Sequence, residues 1–352
     1  MSLHDVTADE ALMRLSEFDA VLDVRSPGEF ALDHMPGALN WPVLDDAERA
    51  RVGTLHVQTG AFEARRIGAA LVARNIAVHV ERHAQGWPKE FAPLVYCWRG
   101  GNRSGAMAHV LAQIGFRVHL ARGGYKALRA ALVRQLDALV APLNFRVICG
   151  PTGSGKSRLL SALQTRGAQV LDLEMLAAHR GSVLGALPGA PQPSQKHFET
   201  RIWAKLRELD PGLPVFIESE SKRIGKLQVP SALLERMHAS PCLRLEATAS
   251  IRVRMLLDDY EALTRDRAEL LFRLESLTEL RGKQTVARWR QLVEAGDFPS
   301  LVDELLAQHY DPSYGRSMAR NYQDLMASPT WLVNEASPTA FDRLATQIIA
   351  QV

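Results

Sequence analysis

The feature that most constrains the fold is a glycine-rich run in the middle of the chain, Gly150-Pro151-Thr152-Gly153-Ser154-Gly155-Lys156-Ser157. The mostly apolar residues 145–149 before it predict a buried strand, and the residues after it predict a helix. In that context the backbone N–H groups can bind phosphate oxygens, while Lys156 neutralises charge and Ser157 can contact a magnesium ion. We therefore predict a phosphate-binding loop formed by Gly150, Gly153, Ser154, Gly155, Lys156 and Ser157.

The rest of this half alternates between strand and helix patterns. Residues 170–174, 214–220 and 243–246 predict strands, and from there the chain is mostly helical to its end. Alternation of this kind is typical of a parallel sheet covered by helices. We predict a kinase-like P-loop α/β domain over residues 145–352 with a helical C-terminal part.

Polar residues after these strands are candidate substrate contacts, each with a plainer structural alternative. The acids at 172 and 174 either hold a substrate or cap a helix, and the basic pair at 179 and 180 contacts an anion or forms a surface turn. Of the carboxylates at 218 and 220, we expect one to face the site and the other solvent or an arginine. The basic residues at 222 and 223 bind an anion or form a solvated charge run. The candidates are Asp172, Glu174, His179, Arg180, Glu218, Glu220, Lys222 and Arg223.

A second loop lies in the first half of the chain and reads Cys97-Trp98-Arg99-Gly100-Gly101-Asn102-Arg103-Ser104. An apolar strand pattern precedes it at residues 94–96, and a helix pattern follows at 105–112. N–H groups at a helix start gather anions and lower a thiol pKa, and the charges of Arg99 and Arg103 act in the same direction. We predict a catalytic thiolate at Cys97 with Arg99 and Arg103 beside it; an inert buried cysteine is the alternative.

Composition limits the class of protein. The 352 residues leave room for two domains, and 47% hydrophobic with 23% charged residues is typical of a soluble globular protein. The net charge of +3 permits a nucleic-acid partner without requiring one. The three cysteines lack disulfide and zinc-ligand patterns, and the first residues lack a secretion signal. We therefore expect a cytoplasmic protein without a membrane-spanning segment.

The first half also carries four motifs that resemble those of rhodanese domains, in the same order. They are Asp23-Val24-Arg25-Ser26-Pro27-x-Glu29-Phe30, His34-Met35-Pro36-Gly37-Ala38, the Cys97 loop and Gly123-Gly124-Tyr125. Alternating strands and helices predict a small parallel α/β sheet over residues 1–140, and the resemblance implies a loop cysteine that carries sulfur as a persulfide. The spacing Cys97-x5-Arg103-Ser104 also satisfies the signature of cysteine-dependent phosphatases, so this alternative stays open.

The order of motifs along nearly the whole chain resembles the tRNA 2-selenouridine synthase family. Besides the two loops, His179-Arg180-Gly181-Ser182 and Glu218-Ser219-Glu220-Ser221 carry this resemblance. It implies a transferase that replaces sulfur by selenium in 2-thiouridine at the tRNA wobble position, with selenophosphate as the selenium donor. It also implies geranylation of that sulfur from geranyl diphosphate. Both co-substrates carry phosphate groups that the phosphate-binding loop can hold.

The resemblance implies tRNA as a partner, and transient contact with an enzyme that supplies selenophosphate. We expect no tightly bound cofactor, with magnesium entering beside a phosphorylated substrate. Cys97 would attack or carry the chalcogen, as a selenopersulfide for example. Arginines and aromatic residues between 251 and 290 suit RNA contact or an ordinary amphipathic helix pair. Two other functions stay open, a cysteine-dependent phosphatase and a P-loop kinase with an accessory rhodanese domain.

Overall fold

The structure is a computed structural model that describes residues 2–322 and 325–352. The chain divides into two compact units. One comprises Met1–Leu136 with Glu199–Ala204, and the other Asp137–Phe198 with Lys205–Val352. The sequence-based domain limits of 1–140 and 145–352 stay predictions.

The first unit contains a five-stranded parallel sheet in the order β1-β5-β4-β2-β3, which confirms the predicted parallel α/β class. The strands are β1 (Ser2–Val6), β2 (Ala20–Asp23), β3 (Ala38–Asn40), β4 (Pro93–Tyr96) and β5 (Arg117–Ala121). The helices along this part of the chain are α1 (Ala8–Met13), α2 (Pro27–Leu32), α3 (Asp46–Gln58), α4 (Ala61–His79), α5 (Asn102–Ile114) and α6 (Gly124–Val140). Parallel strands need such crossovers because consecutive strands must start at the same edge.

The central strand β4 is buried at every residue, as an apolar run covered on both faces should be. It packs into a core with residues of β2 and α5, among them Leu22, Val95 and Met107. The edge strand β1 was not predicted, because its middle residues are exposed and its sequence has no apolar run. Backbone pairing with β5, more than 110 residues away, forms this strand.

The second unit contains another five-stranded parallel sheet, in the order β12-β11-β6-β8-β7. Its strands are β6 (Asn144–Cys149), β7 (Gln169–Leu171), β8 (Pro214–Glu218), β11 (Cys242–Ala247) and β12 (Thr330–Val333), and β9 (Arg223–Ile224) pairs with β10 (Leu227–Gln228) as a separate hairpin. The helices are α7 (Lys156–Thr165), α8 (Leu173–Ala177), α9 (Gln195–Leu206), α10 (Ser231–His238), α11 (Ala249–Asp259), α12 (Glu261–Arg265), α13 (Arg267–Glu275), α14 (Thr278–Arg281), α15 (Lys283–Ala295), α16 (Phe298–Leu305), α17 (Asp311–Asn321) and α18 (Pro338–Ile349). The predicted P-loop α/β class with a helical C-terminal part is confirmed.

Two predicted strands of this unit end earlier than the sequence suggested, and three short strands, β9, β10 and β12, were not predicted. The strand predicted over 170–174 ends at Leu171, because the Asp172 side chain accepts the Met175 N–H and starts α8. The strand predicted over 214–220 ends at Glu218. The short strand β12 was not predicted, and it forms through pairing with β11.

The arginine-rich and aromatic segment between 251 and 290 is partly internal, while its exposed arginines are Arg254, Arg265, Arg267, Arg288 and Arg290. Trp289 is fully buried in a helical core, so it presents no stacking surface to RNA. Arg252 is also buried, where it donates to the Thr152 carbonyl at 2.8 Å and pairs with Asp311 at 2.6 Å. These positions match the amphipathic-helix alternative. Within residues 2–322 and 325–352, no helix is both long and apolar enough to cross a membrane.

Removing one partner of the buried ion pair between Arg25 and Asp23 should strongly destabilise the first unit. Arg25 donates to the Asp23 carboxylate at 2.5 Å and to the Asp33 carbonyl at 2.6 Å, with both charges shielded from water. Arg25→Met leaves a buried carboxylate unpaired and should cost about 3–5 kcal/mol of unfolding free energy in a urea titration. The exposed Arg134, which pairs with Asp9, is the control. Arg134→Met should change stability little; equal losses would contradict the argument.

Candidate functional site

Cys97 directly follows the last residue of β4, and its side chain is only 3% exposed. Ser104 Oγ donates a hydrogen bond to Cys97 Sγ at 3.1 Å, and the backbone N–H groups of Ser104 and Arg99 also bond the sulfur. Burial raises the pKa of the thiol, but these hydrogen bonds and the charge of Arg103 outweigh burial and hold the pKa below its ordinary value. The loop therefore favours a thiolate, and Arg99 contributes a backbone N–H to it.

Arg103 is held by an ion pair with Glu29. Arg103 Nη1 lies 2.8 Å from Glu29 Oε2, and the two residues are 74 positions apart in sequence. Burial raises the pKa of Glu29, but its contacts with Arg103 and the Ser26 N–H lower it more, so the carboxylate stays ionised. The sequence analysis quoted Glu29 in a motif without giving it a role. In the structure it fixes the guanidinium that faces the thiol loop.

The Cys97 loop is clamped by the first turn of α6. Tyr125 N–H donates to the Cys97 carbonyl at 2.7 Å, and Lys126 N–H donates to the Trp98 carbonyl at 3.0 Å. Gly124, at a φ of +57°, lies so close that a Cβ there would be 2.2 Å from the Cys97 carbonyl oxygen. A side chain cannot fit at this position. The Gly123-Gly124-Tyr125 motif therefore holds the loop in shape.

The phosphate-binding loop joins β6 to α7, in the strand-loop-helix context that the sequence predicts. Gly155 precedes the helix, so the N–H groups of its first turn face the loop. Lys156 Nζ donates to the Gly150 carbonyl at 2.7 Å and lies 5.9 Å from the ring centre of Tyr314. Helix N-termini of this kind bind phosphate through N–H groups and the helix dipole.

Four carboxylates gather beside this loop: Asp172, Glu174, Glu218 and Glu220. Ser157 Oγ donates to Glu174 Oε2 at 3.0 Å, and the Glu174 N–H donates to Glu218 Oε1 at 3.0 Å. The Asp172 side chain caps α8. The carboxyl ends of β7 and β8 thus bring acidic groups to the edge of the sheet where the loop lies.

Burial raises the pKa of all four carboxyls, and their mutual repulsion adds to the shift for Glu218 and Glu220. The pKa of Glu220 rises to about 8, although the charge of Lys156 opposes this shift. Glu220 lines the cavity described below, whereas Glu218 is buried against the backbone of Glu174. We expected the carboxylate that does not face the site to face solvent or an arginine. Glu218 is that carboxylate, and the expectation is wrong, because it is buried against the Glu174 backbone. Residues two apart on an extended chain share a side of the sheet.

The basic candidates separate into two groups. His179 is buried, which lowers its pKa, and Arg180 lies 4.9 Å from the ring centre of Tyr260. Lys222 and Arg223 are exposed, and neither lines the cavity beside the loop. For these two, the solvated-charge alternative is the better description.

A large cavity of about 1170 Å³ opens beside the phosphate-binding loop. The predicted site residues in its wall are Gly153, Gly155, Lys156, Ser157, Asp172, Glu174, His179, Arg180 and Glu220. The sequence analysis considered Tyr260 only as one of the aromatic residues that suit RNA contact, and it missed the wall residues Leu256, His309, Tyr310, Tyr314, Met318 and Phe341. Only the four-residue spacing of 310, 314 and 318, which places side chains on one helix face, was a usable signal.

Magnesium has a partial set of oxygen ligands here. Within the described ranges, no three His, Cys, Asp or Glu side chains are grouped as a metal site. Magnesium is commonly held by few protein oxygens together with substrate phosphates. The Ser157 hydroxyl, at the start of α7, fits that arrangement, and its magnesium contact stays a prediction.

Comparison with known proteins gives the same two-part division. Residues 7–131 match the rhodanese-like domain family, and residues 143–273 match the tRNA 2-selenouridine synthase AAA domain family. A tRNA 2-selenouridine synthase of Cupriavidus necator is 40% identical over 261 residues, which cover 72% of this chain and 68% of that protein. One of Alcanivorax borkumensis is 32% identical over 350 residues, covering 90% and 94%. One of Nitrosomonas europaea is 34% identical over 263 residues, covering 73% and 67%.

The fold and the two loops define a chain that joins a rhodanese-like domain, with a thiol at the end of its central strand, to a P-loop domain. The order of the two domains and the similarity along the whole chain narrow this class further. The chain belongs to the tRNA 2-selenouridine synthase family.

The Ser104 hydroxyl should account for a measurable part of the low thiol pKa. Ser104→Ala removes the 3.1 Å hydrogen bond and should raise the Cys97 pKa by about one to two units, because a hydrogen bond to a charged group is worth about 1.5–3 kcal/mol. The rate of Cys97 alkylation against pH, followed by mass spectrometry, measures this. Ser104→Thr keeps the hydroxyl and serves as the control. An unchanged pKa in Ser104→Ala would contradict the assignment.

Glu220 should make phosphate binding depend on pH. The carboxyl is neutral below about pH 8 and becomes an anion in the cavity above it. Pyrophosphate affinity, measured by calorimetry, should therefore fall as pH rises through about 8, and Glu220→Gln should remove this decline. The exposed Glu235→Gln is the control. Because the folded-state pKa is raised, ionisation also costs stability as pH rises, so Glu220→Gln should increase Tm more at pH 9 than at pH 5.

Proposed function

We propose that this protein replaces the sulfur of 2-thiouridine by selenium at the wobble position of tRNA, with selenophosphate as selenium donor and an S-geranylated intermediate made from geranyl diphosphate. The observation that chiefly supports this proposal is that one chain contains both a thiol with a lowered pKa and a separate phosphate-binding loop. The names of the relatives, tRNA 2-selenouridine synthase, support the overall reaction. The donor and the intermediate are what the family resemblance implies, and the phosphate-binding loop is compatible with both phosphorylated compounds.

In the first step the phosphate-binding loop holds geranyl diphosphate. Lys156 and the loop N–H groups bind the diphosphate, with a magnesium ion contacting Ser157. The sulfur of 2-thiouridine attacks C1 of the geranyl group, so an S–C bond forms and the C–O bond to diphosphate breaks. The N3 proton of the base leaves, and alkylation makes the sulfur a better leaving group. The large cavity, with Arg180 against Tyr260, offers a surface on which a base can stack.

In the second step the Cys97 thiolate attacks the phosphorus of selenophosphate. An S–P bond forms, the P–Se bond breaks and hydrogen selenide leaves, while the loop N–H groups bind the tetrahedral oxyanion. Hydrogen selenide attacks C2 of the base, geranylthiolate leaves and is protonated by water, and the selenide proton ends on N3. Water then hydrolyses the phosphocysteine. A selenopersulfide on Cys97 would need a two-electron oxidant, so the balanced route is phosphoryl transfer.

The remaining candidates divide by position. Five residues of the cavity wall are proposed to contact or orient substrate: Asp172, Glu174, His179, Arg180 and Glu220. Glu218 is proposed to position Glu174 by accepting its backbone N–H. Lys222 and Arg223 lie outside the cavity wall and receive no role in the chemistry. tRNA is the proposed macromolecular substrate.

Variants of the two loops should separate the two steps. Cys97→Ala should abolish selenium incorporation while geranylation continues, and Lys156→Ala should weaken geranyl diphosphate binding by about tenfold or more, since it removes a charge-assisted contact. Mass spectrometry of nucleosides from thiolated tRNA, incubated with selenophosphate with and without geranyl diphosphate, measures selenation and geranylation, and calorimetry with geranyl diphosphate measures its binding. Full selenation by Cys97→Ala would refute the role of the thiol.

The same samples test the two other functions. Hydrolysis of an aryl phosphate that depends on Cys97 would indicate a cysteine-dependent phosphatase, which the Cys97-x5-Arg103 spacing favours. Stoichiometric consumption of ATP with a phosphorylated product would indicate a P-loop kinase. Selenated tRNA without either activity supports the proposed reaction.

A further inference from the structure

A second, small cavity of about 50 Å³ lies in the helical part of the second unit. At roughly 10–15 Å³ for each enclosed water, it has room for three to five waters, close to the size of a five-carbon group. Its wall is almost entirely apolar and includes Leu263, Leu270, Phe298, Leu301 and Leu305. Apolar cavities of this kind stay dry and bind apolar groups.

The small cavity adjoins the phosphate-binding loop. Thr152, Leu256, Tyr260 and Tyr310 belong to the walls of both the small and the large cavity. Leu256 packs directly on the loop, since a Cβ on Gly153 would lie 2.8 Å from its Cδ1 atom. The small cavity therefore adjoins the large one through these shared side chains, on the side where Leu256 packs against the phosphate-binding loop.

A ligand that occupies both the phosphate-binding loop and the small cavity needs two chemically different ends. One end must be an anion that binds the N–H groups of the loop, and the other must be an aliphatic chain that reaches the dry cavity. We propose that the small cavity receives the terminal isoprene unit of a prenyl diphosphate and sets the chain length that the protein accepts. The inference rests on the proposed prenyl donor and adds its binding site. Leu263, Leu270 and Leu301 line only the small cavity, so they are the residues that limit the chain.

Binding to the full chain, without tRNA, tests this assignment. Calorimetry compares pyrophosphate with the five-, ten- and fifteen-carbon prenyl diphosphates. The wild type should bind the ten-carbon compound at least about tenfold more tightly than the five-carbon one, whose single isoprene unit does not extend into the small cavity while its diphosphate stays on the loop. Pyrophosphate has no prenyl chain, so its affinity measures binding to the phosphate-binding loop alone.

Two opposite substitutions change the cavity. Leu301→Phe fills it and should weaken binding of the ten-carbon compound by about tenfold, with pyrophosphate affinity unchanged. Leu270→Ala enlarges it and should strengthen binding of the fifteen-carbon compound by about tenfold. Leu163→Ala, a fully buried leucine outside both cavity walls, controls for general loosening. Thermal melts establish that each variant is folded. If Leu301→Phe does not fold, the result for Leu270→Ala tests the assignment.

The possible results distinguish a failure of the proposed prenyl donor from a failure of the assigned cavity. If the wild type binds all four compounds equally, the proposed prenyl donor is wrong and the inference falls with it. If the wild type prefers the ten-carbon compound but both variants keep its selectivity, the chain lies in the large cavity. In that case the inference is wrong and the proposed function stands.

Discussion

Backbone N–H groups at the start of a helix are the element on which both sites depend. In each sheet the central strand, β4 in the first and β6 in the second, ends directly before such a loop. Neighbouring parallel strands end at the same edge, so their residues reach the loop as well. Glu29 follows β2, which pairs directly with β4, and Glu174 follows β7, which β8 separates from β6. One arrangement thus produces a thiol site and a phosphate site.

Burial has opposite outcomes in the two sites. At Cys97 the hydrogen bonds from Ser104 and the backbone outweigh the cost of burying a thiolate, so the pKa falls. At Glu218 and Glu220 a single backbone N–H bonds each carboxyl, from Glu174 and Ser221 respectively, so burial and mutual repulsion prevail and raise the pKa. The difference lies in the number of donors that face each group, since the burial of the groups is similar.

The features that sequence could predict are those encoded in contiguous residues. The two loops and their flanking strands and helices follow from local patterns, and so does the parallel α/β class. Contacts between distant segments could not be predicted: the Glu29–Arg103 pair, the pairing that creates β12, and the cavity wall around Leu256. The error at Asp172 has a local cause. Its side chain captures an N–H of the next helix, and this cap ends a run that otherwise has strand composition.

The protonation of the carboxyls bears directly on how the large cavity can hold a phosphate group. Four ionised carboxylates beside Lys156 would make the cavity anionic and oppose any phosphorylated substrate. Burial and mutual repulsion raise the pKa of Glu218 and raise that of Glu220 to about 8, so these two groups place less negative charge beside Lys156 than their ordinary pKa values would give. Binding and protonation are therefore linked: a bound phosphate raises the carboxyl pKa further, and the neutral carboxyls strengthen phosphate binding by the same free energy. The raised pKa values thus reduce the repulsion that the four carboxyls exert on an anion beside the loop.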